Sequence, residues 1–234
     1  MKPNNLQISI IIPVLNEENY ISKILKYVKS YSNSDNIKEI IVVDGGSTDN
    51  TVSIAKEYDT IVVASAKGRA KQMNLGAKVA KANVLYFLHV DTVPPKDFDQ
   101  YILDAVEKGN EVGCFQMKFD SNNRLLKFFA WFTKINHTLC RGGDQTLFIT
   151  KKLFERANGF NEAYMIFEDN EFIRRIYSIS DFKILPRSVK TSARKYEEIG
   201  HLRLQFLFGM IHLKNSLGAG PEQLYEYYKR KIVA

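Results

Sequence analysis

Cysteine is scarce in this chain: among 234 residues only Cys114 and Cys140 are cysteines, and they lack Cys-x-x-Cys spacing. That excludes a dense disulfide framework and makes two free thiols in a reducing compartment the expectation, with a pairing of the two left open. Long apolar runs are missing as well. No stretch approaches the roughly 18 uninterrupted apolar residues of a membrane-spanning helix, and the polar start from Met1 to Gln7 has no positive region leading into an apolar core, so no secretory signal is expected. Gly-x-Gly-x-x-Gly does not follow the first apolar run and the phosphate-loop Gly-Lys-Ser/Thr is absent, which weakens dinucleotide-binding and P-loop readings. Internal repeats, low-complexity tracts and a clear linker are lacking too.

What is present suits one large α/β domain, or a domain with an elaborated tail: 45% of residues are hydrophobic and 25% charged. The net charge of +7 favours an anionic partner, such as a phosphate-bearing small molecule, an anionic membrane surface or a nucleic acid. The basic residues are dispersed and no recognition motif appears, so nucleic acid is not expected.

Apolar, β-branched runs mark strands near 8–14, 39–43, 60–64 and 84–90, alternating with helical patterns. This predicts a mainly parallel, Rossmann-like sheet with helices on both faces. In such sheets ligands sit beyond the carboxyl ends of the strands, and three of those ends are polar. The first strand leaves through Pro13 into Leu15-Asn16-Glu17-Glu18, and the second runs into Asp44-Gly45-Gly46-Ser47-Thr48-Asp49-Asn50-Thr51. The fourth, Leu85-Tyr86-Phe87-Leu88, continues into His89-Val90-Asp91-Thr92 and reads as a buried strand delivering an imidazole and a carboxylate two residues apart. Asp44 as a turn carboxylate and His-x-Asp as a polar turn are the plain alternatives. One shared site at adjacent strand ends is the sharper reading. After the third strand, Lys67 and Arg69 fall near a helix N-terminus, where cations oppose the helix dipole unless an anion lies between. A phosphate resolves that conflict; a solvated basic loop is the alternative.

In the second half, 111–119 and 145–150 read as strands, and Arg124 to Cys140 as one amphipathic helix with Arg124, Lys127, Lys134, Thr138 and Arg141 on a separate stripe. Glu168-Asp169-Asn170-Glu171 opens a helix whose inner face is Phe172, Ile173 and Ile176; acids there suit the dipole in any protein. Ile199 to Leu217 is apolar over most of its circumference, so it must be buried, paired with another subunit or laid in a membrane interface. Pro221 begins a last short helix.

Taken together, Ile11-Ile12-Pro13-Val14-Leu15-Asn16-Glu17, Ile40-Ile41-Val42-Val43-Asp44-Gly45-Gly46-Ser47-Thr48-Asp49-Asn50-Thr51 and Leu88-His89-Val90-Asp91-Thr92 resemble the family 2 glycosyltransferases of the A-type nucleotide-sugar-binding fold. Gly142-Gly143-Asp144-Gln145, Gly159-Phe160 and Phe167-Glu168-Asp169-Asn170-Glu171 extend the resemblance over about the first 180 residues. Gly68-Arg69-Ala70-Lys71-Gln72-Met73-Asn74 and the Leu-His-x-Asp-Thr motif make it similar to a compact bacterial-type subgroup.

The resemblance implies a metal-dependent, inverting enzyme that uses a nucleotide-diphosphate-sugar, most often uridine-linked, with Mn²⁺ or Mg²⁺. It assigns Glu17 and Asp44 to the base and Arg69 to the nucleotide or its phosphates. Pro13, Leu15 and Asn16 join the donor-binding set, as do Gly68, Gln72, Asn74 and His89. Arg194 closes over the donor phosphates, Asp91 ligates the metal, and Asp169 is the catalytic base with Glu168 beside it. The family commonly has Asp-x-Asp where this chain has His89-Val90-Asp91, which leaves the metal's identity open. The chemistry asks for the same residue types: a cation on the leaving diphosphate held by one or two carboxylates, and a carboxylate facing the acceptor hydroxyl. A nucleotidyltransferase on a related sheet and a non-catalytic nucleotide-sugar-binding module are the competing readings.

The expected organisation is a catalytic domain over 1–195, with a donor half of about 1–95 and an acceptor half of about 96–195, followed by a helical extension over 196–234. The expected location is cytoplasmic and peripheral at the inner face of the cell membrane. The acceptor is an unidentified hydroxyl, lipid-linked in one reading, and Ile199–Leu217 would meet the membrane or a second copy.

Overall fold

The computed structural model describes residues 6–142 and 145–233. Four parallel strands form the first half of an eight-stranded sheet: β1 (Ile8–Val14), β2 (Ile37–Asp44), β3 (Ile61–Ala64) and β4 (Val84–Phe87). Between them lie α1 (Glu18–Tyr31), α2 (Thr51–Lys56) and α3 (Arg69–Val79). The second half adds β5 (Thr92–Val93), α4 (Phe98–Glu107), β6 (Val112–Phe119), α5 (Arg124–Trp131), β7 (Leu147–Thr150), α6 (Lys151–Arg156), α7 (Glu168–Tyr177) and β8 (Phe182–Thr191). The spatial order is β3-β2-β1-β4-β7-β6-β8-β5. The sheet is therefore mixed, because β7 runs antiparallel to both β4 and β6, and β5 antiparallel to β8.

Alternation along the strands divides the core. Ile8, Ile10 and Ile12 of β1 with Ile40 and Val42 of β2 pack towards α1 and α4, while Ile11, Ile41 and Val43 face α3, α6 and α7. Both faces of these central strands are buried, as parallel strands require. On the α3 side the packing is tight at Gly76, where a Cβ would come within 2.4 Å of the Ile11 side chain.

Three expectations change. The fourth strand ends at Phe87, not at Val90: Thr92 N–H donates to His89 C=O at 3.1 Å, so His89 to Asp91 form a turn rather than strand positions sharing a face. The helix from Arg124 stops at Trp131 and continues as short 3₁₀ turns at Phe132–Lys134 and Thr138–Cys140. The reason is polar competition for the backbone: the buried Arg141 guanidinium donates to Thr133 C=O and Ile135 C=O at 2.6 Å each, so Arg141 does not belong to a wet stripe. The segment 199–217 is also not one uniform cylinder. Gly200, at φ 98°, separates α8 (Arg194–Ile199) from α9 (His201–Ser216).

In α9, Leu204, Leu207 and Ile211 point inward, while Leu202, Phe206 and Leu213 are exposed, as is Leu217 just beyond the helix. The inward set joins Phe119 of β6, Leu126 and Ala130 of α5, and Leu224 of α10 (Pro221–Tyr228) in a third core cluster. The C-terminal helices thus share a core with β6 and α5. Among the described residues no helix is long and apolar enough to cross a membrane.

Candidate active site

The exits of β1 and β2 are zipped together by side chains with donors or acceptors to spare. Asn16, in the left-handed region at φ 56°, donates its N–H to Ser47 Oγ at 2.8 Å and accepts from Thr48 N–H at its Oδ1, also at 2.8 Å. Glu17 N–H donates to Thr51 Oγ1 at 2.7 Å. The Asp44 carboxylate accepts from Gly46 N–H and Ser47 N–H at 3.1 Å each, which holds the turn whose Gly46 adopts φ 97°. From below, the buried Gln72 amide donates to Val14 C=O and Val43 C=O at 2.8 Å each and so clamps the two strand ends. Gly45 is needed beside it, since a Cβ there would lie 3.1 Å from that amide.

Asn74, on the same helix, is bonded to the protein itself. Its Nδ2 donates to Phe160 C=O and to Glu162 Oε1, and its Oδ1 accepts from Phe160 N–H, each at 2.9 Å. The Gly159-Phe160 turn is pinned a second time, by Arg175 of α7, which donates to Gly159 C=O at 2.8 Å while pairing with Glu171 at 2.6 Å. These ties fix α7, and therefore its acidic first turn, against α3.

Arg69, one residue after the left-handed Gly68, meets that first turn. Its Nε lies 3.2 Å from Glu168 Oε1 and its Nη1 3.5 Å from Asp169 Oδ2. Glu168 is almost fully buried and Asp169 nearly so, whereas the Arg69 side chain is 46% exposed. The residue that opens α7, Phe167, stands at φ 69° with its ring 4.8 Å from the His212 ring of α9. Burial, then the nearby Arg174, pulls the His212 imidazole below its usual range.

A second convergence lies at the β1 and β4 ends. Burial raises the Glu17 carboxyl, opposed by Arg194 and assisted by the charges of Asp91 and Asp49. Burial would lower the Arg194 guanidinium, but Tyr20, Glu17 and Asp91 together raise it, and it stacks 4.9 Å from the Tyr20 ring centroid. Glu17, Asp91 and Arg194 therefore sit within one electrostatic neighbourhood although they come from three distant segments. Asp91 itself is partly exposed, with Thr92 Oγ1 at 3.5 Å. Thr92 in turn bonds Thr191 Oγ1 at 2.9 Å, tying this turn to the end of β8 just before Arg194.

Among the described residues, no three His, Cys, Asp or Glu side chains are placed to hold a metal together. Asp91, with His89 partly buried two residues before it, fits instead a cation whose coordination is completed by phosphate oxygens, the usual arrangement for Mg²⁺ at nucleotide sites. Of the Gly142-Gly143-Asp144-Gln145 motif, Gly143 and Asp144 lie outside the described residues.

Two sets of contributors were not anticipated from the sequence. Ser47, Thr48 and Thr51 are the partners that hold Asn16 and Glu17. Tyr20 carries the signal that it lies three residues after Glu17, on the same helical side, where a ring can support a cation.

The model of glycosyl transferase family 2 matches residues 9–174, which include Arg69, Glu168 and Asp169 and, from the second convergence, Glu17 and Asp91 but not Arg194. The chain belongs to that family. A probable glycosyltransferase of Bacillus subtilis, YdaM, is 26% identical over 200 residues, covering 74% of this chain and 47% of that protein. Glycosyltransferase AglE of Haloferax volcanii is 33% identical over 94 residues, 37% of this chain and 31% of that protein. The chain thus spans half or less of the length of these relatives. Among solved structures, S. aureus TarS 1–349 in complex with UDP-GlcNAc superposes with TM-score 0.65 at 20% identity, over 80% of this chain and 58% of that one. This establishes the family 2 domain's A-type fold, with the mixed sheet flanked by helices.

Proposed function

We propose that this family 2 domain transfers a sugar, with inversion, from a nucleoside diphosphate sugar to an acceptor hydroxyl. The observation that carries the reading is the Arg69 bridge: a cation at the donor side of the sheet faces a buried Glu-Asp pair at the start of α7. A TarS structure titled as a complex with UDP-GlcNAc, on the same fold, supports a uridine-linked donor. In this reading 1–95 is the donor half, 96–195 the acceptor half and 196–234 a helical extension.

Asp44 and Glu17, presented by the zipped β1 and β2 exits with Pro13, Leu15 and Asn16, take the nucleoside. Gln72 and Asn74 act through the backbone they hold, since their amides are bonded to strand-end and turn carbonyls. Gly68 gives the chain its left-handed entry to α3, and Arg69 and Arg194 supply positive charge to the diphosphate. Asp91, with His89 near it, would hold Mn²⁺ or Mg²⁺, which when bound neutralises charge on the departing diphosphate. Asp169 accepts the acceptor hydroxyl's proton on a carboxylate oxygen as the new glycosidic bond forms. Glu168, more deeply buried, orients Arg69.

The exposed stripe of α9 supports a covered position for that helix, at a membrane's inner face or against a second copy. For the donor reading the direct test is thermal unfolding with UDP and Mn²⁺. Binding to the native state raises the melting temperature, Asp91→Ala removes the metal-dependent part of the rise, and no rise with any common nucleoside diphosphate overturns the reading.

A further inference from the structure

The acceptor half carries a surface that the transfer chemistry does not use. Phe128 and Trp131 on α5, followed by Ile135 and Leu139 in the turns after it, are 57%, 52%, 40% and 66% exposed. They occupy a stretch without acidic residues: between Asp120 and Asp144 the sequence has no Asp or Glu, while Arg124, Lys127 and Lys134 are exposed. Trp131, Lys127 and Lys134 also line a groove of about 770 Å³ whose floor is the end of β6 and the neighbouring part of β8, where Lys118 and Lys190 pair in register. Lys190 is partly neutralised by Asp120 at 2.6 Å. Lys118, Lys127 and Lys134 have no acidic ion-pair partner among the described residues.

Aromatic and aliphatic side chains beside unpaired ammonium groups match the boundary of an anionic bilayer, in which rings and alkyl chains enter the acyl edge and cations meet phosphate. A groove of this size adds room for a lipid phosphate head group beside Trp131. The backbone here is already bound: Thr133 Oγ1 donates to Ala130 C=O at 2.7 Å and accepts from Met117 N–H at 3.0 Å. The rigid turns thus present the exposed residues without having to fold on contact. We infer that the α5 ridge, residues 124–139 with the adjoining lysine groove, docks this domain on an anionic membrane surface. The groove is built on β6 and β8, and β8 ends at Thr191, which is bonded to Thr92 next to Asp91. Docking there brings the lipid head-group layer to the acceptor side of the site.

The test is flotation of the purified chain with vesicles of phosphatidylcholine alone or mixed with phosphatidylglycerol. The chain should float with the mixed vesicles, and binding should weaken as salt is raised. The double variant Lys127→Glu, Lys134→Glu should lower partitioning by roughly thirty-fold or more, and Phe128→Ser with Trp131→Ser by about ten-fold or more at unchanged charge. Every side chain changed is exposed, and an unaltered melting temperature verifies folding. Lys26→Glu with Lys29→Glu, exposed on α1 and altering net charge equally, should keep binding within about three-fold. Equal loss in that control would assign the attraction to overall charge and overturn the docking surface. So would unaltered flotation of the serine variant, failure of the wild type to float, or a dimer in light scattering that the α5 variants dissociate.

Discussion

Arg69 and Asp169 lie 100 positions apart in the chain and 3.5 Å apart in space. The contact joins the start of α3 to the start of α7. Neither end is there by chance of the surface: Asn74 and Arg175 both fasten the Gly159-Phe160 turn that lies between the two helices. A substrate that spreads from one half to the other would lie across this cation and carboxylate pair.

The clamp beneath the exits of β1 and β2 is the first place to test. Gln72→Met keeps the side chain's length and apolar fit but takes the amide donor from the Val43 carbonyl and leaves the Val14 carbonyl with Gly45 N–H alone. The expected cost is about 1–3 kcal/mol, read as a lower denaturation midpoint at unchanged slope, together with weaker donor binding. Wild-type stability in this variant would show that the clamp is dispensable.

Glu17 gives a pH signature. Burial raises its carboxyl above the ordinary value, with Asp91 and Asp49 adding to the effect against Arg194. The folded state therefore holds this proton more tightly than the unfolded chain does. That favours folding below the unfolded value and is lost as pH rises through the folded one. Glu17→Gln should remove the loss, so the variant gains stability over the wild type as pH rises above the ordinary glutamate value of about 4 while binding donor less well. Parallel pH profiles for the two proteins would contradict it.

Much of this architecture was legible. The β-branched runs of β1 and β2 read correctly because parallel strands buried on both faces leave little room for any other pattern, Ile61-Val62-Val63 marked the more exposed edge strand β3, and the polar exits followed directly from where each run stops. The fourth strand was read too long because Leu88 and Val90 continue its apolar run; both are buried although the chain has already turned. In α5 the helical spacing persisted past Trp131, but Arg141 and Thr133 compete for the carbonyls that a longer helix would use. A propensity reading sees neither partner.

β8 was hidden by Pro186, which breaks a strand pattern. The register slips at that point, with Leu185 opposite Phe115 and Ser188 opposite Gln116, so the missing N–H falls in a bulge. In the site, residue types at strand ends could be named from sequence. The commitment of the Gln72 and Asn74 amides to backbone groups could not, because those partners lie 29 to 86 positions away.

The proposed role of Asp169 is to take the proton from the acceptor while the donor is held elsewhere. Its most direct measurement is sugar transfer by Asp169→Asn beside donor affinity of the same variant, with Glu168→Gln as the internal comparison. The amide keeps the carboxylate's shape without its basicity, so donor affinity should be unchanged and turnover should fall by about 10²–10⁴-fold, with a smaller fall for Glu168→Gln. Transfer by Asp169→Asn at close to the wild-type rate, with Glu168→Gln inactive, would contradict the assignment.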